Sequence, residues 1–484
     1  MSWRPRVCVT LRARTLGVAV HRLIAWVLAP VAFVGTLAIL ESANVARGAE
    51  VTRIVSALDD ENQFDFNVTA SWLHEIKSAF IKREDVVNGA TVPVKDSVYA
   101  QTRDVLGLRM DFGILWDVGL HIAAPLVLSD ERSLDFDQTA AGCTFVGADA
   151  TCVNQTTSTV LRDGILPGYK MPTYGLKANG DAFTDPSRTI FRGPRRSGFE
   201  SLDLGITWAP FNQMRDDTRP TWTIAFESKL DVFRDMRFDP SNPGANTAVG
   251  LGYHQFVWST FVSKRFRYFD PYFGAWYNLP VRTNGSIYQE FQGGNQTAVN
   301  PMMRAGVLAG FEQIAWENPR AQQRVTVEFR GRAEQHFFGR SASELWEPLS
   351  GSSKCAVDPT SSSGCRPGID DGVADGTFMR HPGVTETQPY GTFGGDAGLN
   401  VQVGKYVRFR GLFGLTLDMP HFLTYAGAGV DHSAVGTPGY RRVESSDPSE
   451  ANVNYRDALD SPGRRFKVEG TQLWSLFLEG SIMF

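Results

Sequence analysis

The feature that most constrains this chain is a rhythm: stretches of alternating apolar and polar residues, joined by links that are short and long in turn. Phe64, Phe66, Val68, Ala70 and Trp72 alternate with Asp65, Asn67, Thr69 and Ser71, and Leu106, Leu108, Met110 and Phe112 with Gly107, Arg109 and Asp111. Val325, Val327 and Phe329 interleave with Arg324, Thr326, Glu328 and Arg330. Val407, Phe409, Phe413, Leu415 and Leu417 do the same with Arg408, Arg410, Thr416 and Asp418. Alternation of period two describes a strand with one apolar face and one polar face. A soluble sandwich alternates too, so the period alone does not name the solvent.

The links do. Twelve strands are predicted, near residues 64–77, 101–113, 117–128, 199–209, 220–232, 252–265, 271–281, 303–316, 323–336, 394–404, 407–419 and 468–484. Their lengths suit the roughly 9–11 residues that cross a bilayer at a tilt, with some overhang. Short links fall at 114–116, 210–219, 266–270, 317–322 and 405–406, and every link between them is expected to be longer. Short turns at one end and long loops at the other is the pattern of an outer-membrane barrel with periplasmic turns. Trp116, Trp208, Phe211, Tyr268, Phe269, Trp316 and Tyr406 lie in or beside the short turns, as an interfacial aromatic girdle would. The expected fold class is all-β: a transmembrane antiparallel up-and-down β-barrel of about 12 strands.

Residues 1–48 carry the marks of an export signal. Arg4 to Arg22 form a basic region without an acid, Leu23 to Leu40 an apolar run, and Ala46-Arg47-Gly48 a small-x-small cleavage site, so the mature chain is expected to begin near Ala49. An uncleaved anchor is the competing reading, and Pro30 within the apolar run argues against it. The expected organisation is then 1–48 secretory signal peptide, 49–63 short periplasmic segment that could instead tuck into the lumen as a small stopper, and 64–484 barrel, with long outer loops about 129–198, 337–393 and 420–467. Localisation in the outer membrane follows from the same pattern.

Composition closes off other classes. A mean hydropathy of −0.20 excludes a bundle of membrane helices, and 12% aromatic residues exclude a disordered chain. The first 48 residues hold six Arg and one acid, which leaves 42 basic against 51 acidic residues, a balance unsuited to nucleic acid. Four cysteines remain after the signal. Cys143 with Cys152 and Cys355 with Cys365 are local pairs in Gly/Ser/Thr/Asp-rich sequence, read as two loop disulfides of an oxidising compartment. Their spacing and the lack of a nearby His speak against zinc.

The last strand, LWSLFLEGSIMF, ends on Phe484 and resembles the C-terminal strand of Gram-negative outer-membrane β-barrel proteins. The resemblance implies that Trp474, Leu476, Leu478, Ile482 and Phe484 are the recognition signal for the barrel-assembly machinery during biogenesis. The segments GILWDVGLHIAAPLVLSD, GFESLDLGITW and VGLGYHQFVWSTFVSKRFRYFDPYFGAWY are similar to hairpins of outer-membrane barrels grouped as transporters of the phenol-degradation meta-pathway type.

The polar parity of the strands supplies the chemistry. Candidate lumen-lining residues are Arg109, Asp111, Glu227, Lys229, Arg324, Glu328, Arg330, Arg332, Glu334, Arg408, Arg410 and Asp418. Such charges either set solute preference in an open channel or pair with one another and close it. Asp370, Asp371 and Asp375 in an outer loop have oxygen ligands suited to calcium, though not the spacing of a calcium-binding loop. An outer-membrane lipid hydrolase is the enzyme to weigh, but His432-Ser433, the adjacent His–Ser pair considered, falls in an outer loop with no strand to hold it. No cofactor is implied. The functional expectation is a channel or facilitator for passive passage of small solutes. The alternative is a structural or surface-interaction barrel with a closed lumen and functional disulfide-bearing extracellular loops. The expected partners are outer-membrane lipid and lipopolysaccharide, the assembly machinery and a small-molecule solute.

Overall fold

A computed structural model describes residues 49–55, 65–115, 117–137, 153, 158, 189–238, 243–288, 297–350, 383–436, 443, 449–452 and 454–484. Twelve long strands run in chain order: β1 Phe66–Val87, β2 Ala90–Leu115, β3 Val118–Phe136, β4 Leu202–Phe211, β5 Thr221–Leu230 and β6 Tyr253–Ser263. They continue as β7 Phe269–Arg282, β8 Arg304–Asn318, β9 Gln323–His336, β10 Tyr390–Val403, β11 Val407–Asp418 and β12 Phe466–Met483. Each pairs antiparallel with the next. β1 then returns to pair with β12 from Asn67↔Met483 to Arg83↔Phe466, which closes the sheet. Closure leaves neither edge of the sheet with a row of unpaired backbone groups.

The alternation reads out as expected. On β12, Leu478 and Ile482 are 46% and 49% exposed, whereas Ser481 on the other parity is 2% exposed. Phe329, Phe393, Phe409, Phe413 and Leu399 continue this outward apolar surface around β9–β11. At the short-turn end Trp208, Phe211, Tyr268, Phe269, Trp316 and Tyr406 are exposed, and Phe66 lies 5.0 Å from Phe112 and 6.0 Å from Phe484, ring centre to ring centre. Trp116 is outside the described residues, as are residues 1–48, all four loop cysteines, and Asp370, Asp371 and Asp375.

The twelve strands occur in the expected order, but the first long link does not. A connection of more than twenty residues is expected between 77 and 101; instead β1 and β2 extend until Val87 pairs with Ala90. Asn88 and Gly89 alone make the turn, both at positive φ (53° and 78°), the left-handed pair that matches strand twist in a two-residue hairpin. The extension passes through Lys82-Arg83-Glu84-Asp85, where apolar alternation is lost, so the periodic signal fades while the ladder continues. The other loop bounds shift too. β3 continues to Phe136, and the short strands Thr189–Arg192 and Arg196–Phe199 pair on its upper part. β10 starts at Tyr390 and β12 at Phe466, so the outer loops begin or end inside the ranges 129–198, 337–393 and 420–467.

At the long-loop end the loops fold inward and make a core of their own. Leu345, Trp346 and Leu349, in and beside the one-turn helix Trp346–Leu349, are fully buried against Tyr99, Leu134, Phe191, Tyr288 and Phe466, among others. Arg196 organises this cap. Its guanidinium lies 4.9 Å from the Trp346 ring, pairs with Glu347 at 2.5 Å, and donates to the carbonyls of Asn246, Ala248 and Arg237. All three guanidinium nitrogens of Arg196 are thereby used, as burial of a charge requires.

The hairpin tip yields a test. Gly89 has open space around its Cβ position, so a substitution there acts through backbone conformation alone. Gly89→Val, a β-branched residue at positive φ, should cost roughly 1–2 kcal/mol. Amide exchange should accelerate between Arg83 and Val94 while the β9–β10 ladder is unchanged. Equal acceleration throughout the barrel would show that the extension is not an independent unit.

Candidate functional site: an occluded, ion-paired lumen

The site is built by the polar parity of β7–β12. In the ladder register Asp270 of β7 faces Glu312 of β8, and Glu312 faces Glu328 of β9, so three acids form one row across three strands. All three are buried. Glu328, 0% exposed, takes two hydrogen bonds from the Arg410 terminal nitrogen Nη2 (2.9 and 2.8 Å), one from Tyr272 Oη (2.7 Å) and one from the Asn400 amide (3.3 Å). Arg410 lies on β11, two strands away from Glu328, so this pair reaches across the concave side of the wall.

Into this row comes the N-terminal segment. Glu50–Thr52 forms a single 3-10 turn, and the Glu50 backbone nitrogen donates to Glu312 Oε1 at 2.6 Å. The Glu50 carboxylate meets Arg408 and stands 3.7 Å from Arg324. Thr52 and Ser263 share a hydroxyl hydrogen bond of 2.6 Å, and the Val55 carbonyl packs over Gly119, where a Cβ would stand 3.3 Å away. The first residues of the segment expected in the periplasm therefore lie inside the barrel.

The remaining candidates are also brought to partners. Arg330 binds Asp396 at 2.8 Å; Arg332 donates to Thr416 Oγ1 at 2.5 Å and lies 3.9 Å from Asp396. Gly414 makes that possible, because a Cβ there would overlap the Asp396 carboxylate. Arg109 pairs with Asp111 (2.7 Å), Lys229 with Glu227 (3.0 Å) and Asp203 (3.4 Å), and Glu227 with His121 (2.9 Å). Glu334 lies 3.1 Å from His336 and 3.7 Å from Arg304, Arg408 reaches Glu479 at 3.1 Å, and Asp418 is 3.8 Å from Lys77. Each of the twelve named charges has an opposite charge within 4 Å.

Several members of this interior escaped the sequence, Asp203, Asp396 and Lys77 among them. Glu50 borders the cleavage motif and carries no periodic signal. Asp270 sits in Phe-Asp-Pro and reads as a turn residue. His121 was legible, since it alternates with Leu120 and Ile122 on β3. Beneath the cap a polar cavity of about 130 Å³ remains, lined in part by Lys77, Tyr99, Arg132, Glu344, Tyr390 and His421. The Tyr390 ring is stacked between His336 (4.1 Å) and His421 (3.6 Å).

Among the described residues, two groupings of Ser, His and Asp lack the order hydrolysis needs. Ser433 donates to Asp431, and His432 is held through its backbone nitrogen by Glu450. Across β1, β2 and β3, His74 and Ser129 both bond Asp104, at 2.8 and 3.1 Å. There the carboxylate stands between hydroxyl and imidazole, whereas activating a nucleophile requires the imidazole between the other two.

No protein-family model and no curated protein matches the sequence. Among solved structures, the COG4313 outer membrane channel from Pseudomonas putida F1 is similar over 92% of this chain and 100% of that one, with 10% identity and a TM-score of 0.34. A Pseudomonas aeruginosa FadL homologue matches over 87% and 90% (8% identity, TM-score 0.28), and the outer membrane protease OmpT from Escherichia coli over 86% and 97% (7%, 0.27). At these values the likeness is one of broad outline, and function has to be read from the chain's own geometry. Fold and site together define the class: a closed twelve-stranded β-barrel with an outward apolar surface and an ion-paired interior.

Two measurements probe the site. Glu328→Ala leaves Arg410 buried without its carboxylate and should cost about 3–5 kcal/mol, whereas the double change of Glu328 and Arg410 to Met should cost far less. Denaturant unfolding in detergent reads both, and equal costs for the single and double variants would contradict the pairing. In the cap, burial pushes the Asp460 carboxyl up to about 7, against the backbone N–H groups of Ala426 and Arg456 that favour its ionised form. A raised acid stabilises the fold when protonated, so this contribution is present below the usual Asp pKa of about 4 and lost as pH rises through 7. Intrinsic-rate-corrected exchange of amides 456–460 should be slower at pH 5 than at pH 8, and Asp460→Asn should flatten the slope. Faster exchange at pH 5 in the wild type would refute it.

Proposed function

We propose that the protein is an outer-membrane channel or facilitator for small solutes, held closed at rest by its own N-terminal segment. The observation that carries this reading is the nature of the obstruction. Below the cap, residues 49–55 lie in the interior as a non-strand peptide held to several strands by hydrogen bonds and ion pairs. A barrel meant only as scaffold fills its interior with strand side chains and needs no separate stopper. The outward apolar row on β9–β12 supports a membrane-spanning position, because a closed barrel satisfies its backbone without water. To the same reading belong removal of residues 1–48, recognition of Trp474 to Phe484 by the assembly machinery, the two loop disulfides, and contact with lipopolysaccharide at the outer face.

Planar-bilayer recording tests it. Purified wild-type protein should show small or rare conductance steps. Glu50→Ala, which leaves Arg408 and Arg324 without the segment's carboxylate, should raise conductance several-fold, and deletion of 49–55 further still. Unchanged conductance in both variants would leave the closed structural barrel as the better account.

A further inference from the structure

We propose that the lumen is built to receive the α-ammonium group of Ala49, created by cleavage of the Gly48–Ala49 peptide bond, and that its pairing with Asp270 and Glu312 locks the N-terminal segment in the barrel. The inference rests on the exported-barrel reading and adds a chemical role for processing. Hydrolysis gives the Gly48 carbonyl a hydroxyl from water and the Ala49 nitrogen a proton; with an ordinary α-amino pKa of about 7.7–8.0, that nitrogen carries a positive charge at neutral pH.

Asp270 and Glu312 are directly opposed in the β7–β8 ladder and are 2% and 1% exposed. Two acids buried side by side cannot both ionise without a cation. Among the described residues no ion pair joins either one to a basic side chain. The surrounding cations have other partners: Arg265 binds Glu317 (3.2 and 2.5 Å), Arg410 binds Glu328, Arg408 binds Glu50 and Glu479, and Arg324 faces Glu50. Asp270 Oδ1 is buried without a hydrogen-bond partner. Arg324 and Arg265, the cations that act on this pair, are themselves engaged by Glu50 and Glu317.

The Ala49 nitrogen lies in the same part of the lumen. Ala49 is fully buried, and its nitrogen donates to Ser263 Oγ at 3.3 Å. The next backbone nitrogen, that of Glu50, is 2.6 Å from Glu312 Oε1. Covalent geometry then places the Ala49 nitrogen within about 6 Å of the same carboxylate. The cleavage motif Ala46-Arg47-Gly48 ends one residue before it. An uncleaved chain offers a neutral amide at this point; a cleaved one offers the charge and three donors.

The test uses protein purified from the outer membrane. Intact mass should correspond to a chain beginning at Ala49, and an α-amine-selective aldehyde at neutral pH should label the folded protein at least tenfold more slowly than the unfolded one. Glu312→Gln and, separately, Asp270→Asn should raise the folded-state labelling rate several-fold; if either variant fails to fold, the wild-type protection ratio decides. A membrane-inserted chain that begins elsewhere, or whose α-amine labels equally fast folded and unfolded, overturns this inference and leaves the barrel reading intact. A soluble chain retaining residues 1–48 overturns both.

Discussion

The ladder between β1 and β12 is the interaction on which everything else depends. It joins the first strand to the last, from Asn67↔Met483 to Arg83↔Phe466, and turns an open sheet into a surface without edges. A sheet closed on itself separates two environments, one outside the wall and one within it. The outside can then be apolar, as Leu478, Ile482 and Phe413 are, because no backbone group there is left unpaired.

Closure has a cost on the inside. Side chains of the inner parity are confined with little water, so a charge there must be partnered or displaced. The Glu328–Arg410, Arg330–Asp396 and Glu227–Lys229 pairs answer that requirement locally, each between strands or within one. Glu50 answers it from outside the sheet, bridging Arg408 and Arg324 with a carboxylate that no strand carries. Pairing and obstruction are thus the same contacts. An interior that had balanced its charge wholly within the wall would have no use for the segment.

The two ends are packed by different physics. At the cap, Trp346, Leu345 and Leu349 bury apolar surface against Tyr99, Leu134 and Phe466, an association that is non-directional and cooperative. At the short-turn end the contacts are few, polar and directional, made by a seven-residue stretch with no core of its own.

What the sequence determined by itself was the wall: twelve strands, their order, which parity faces out, and which links are tight. These follow from nearest-neighbour pattern, because every strand pairs with its successor and period two survives in each apolar row. The first hairpin was the exception. Apolar alternation is lost across Lys82-Arg83-Glu84-Asp85, and only Asn88-Gly89 marked a turn. The tertiary structure alone decided the interior. Nothing in the one-dimensional pattern says that Glu50 reaches residues 274 and 358 positions further along the chain, that Asp270 points inward, or that Arg196 anchors Trp346 and Glu347. Periodicity reports which way a side chain faces, whereas partnership depends on curvature and closure, which bring together residues that share no local signal.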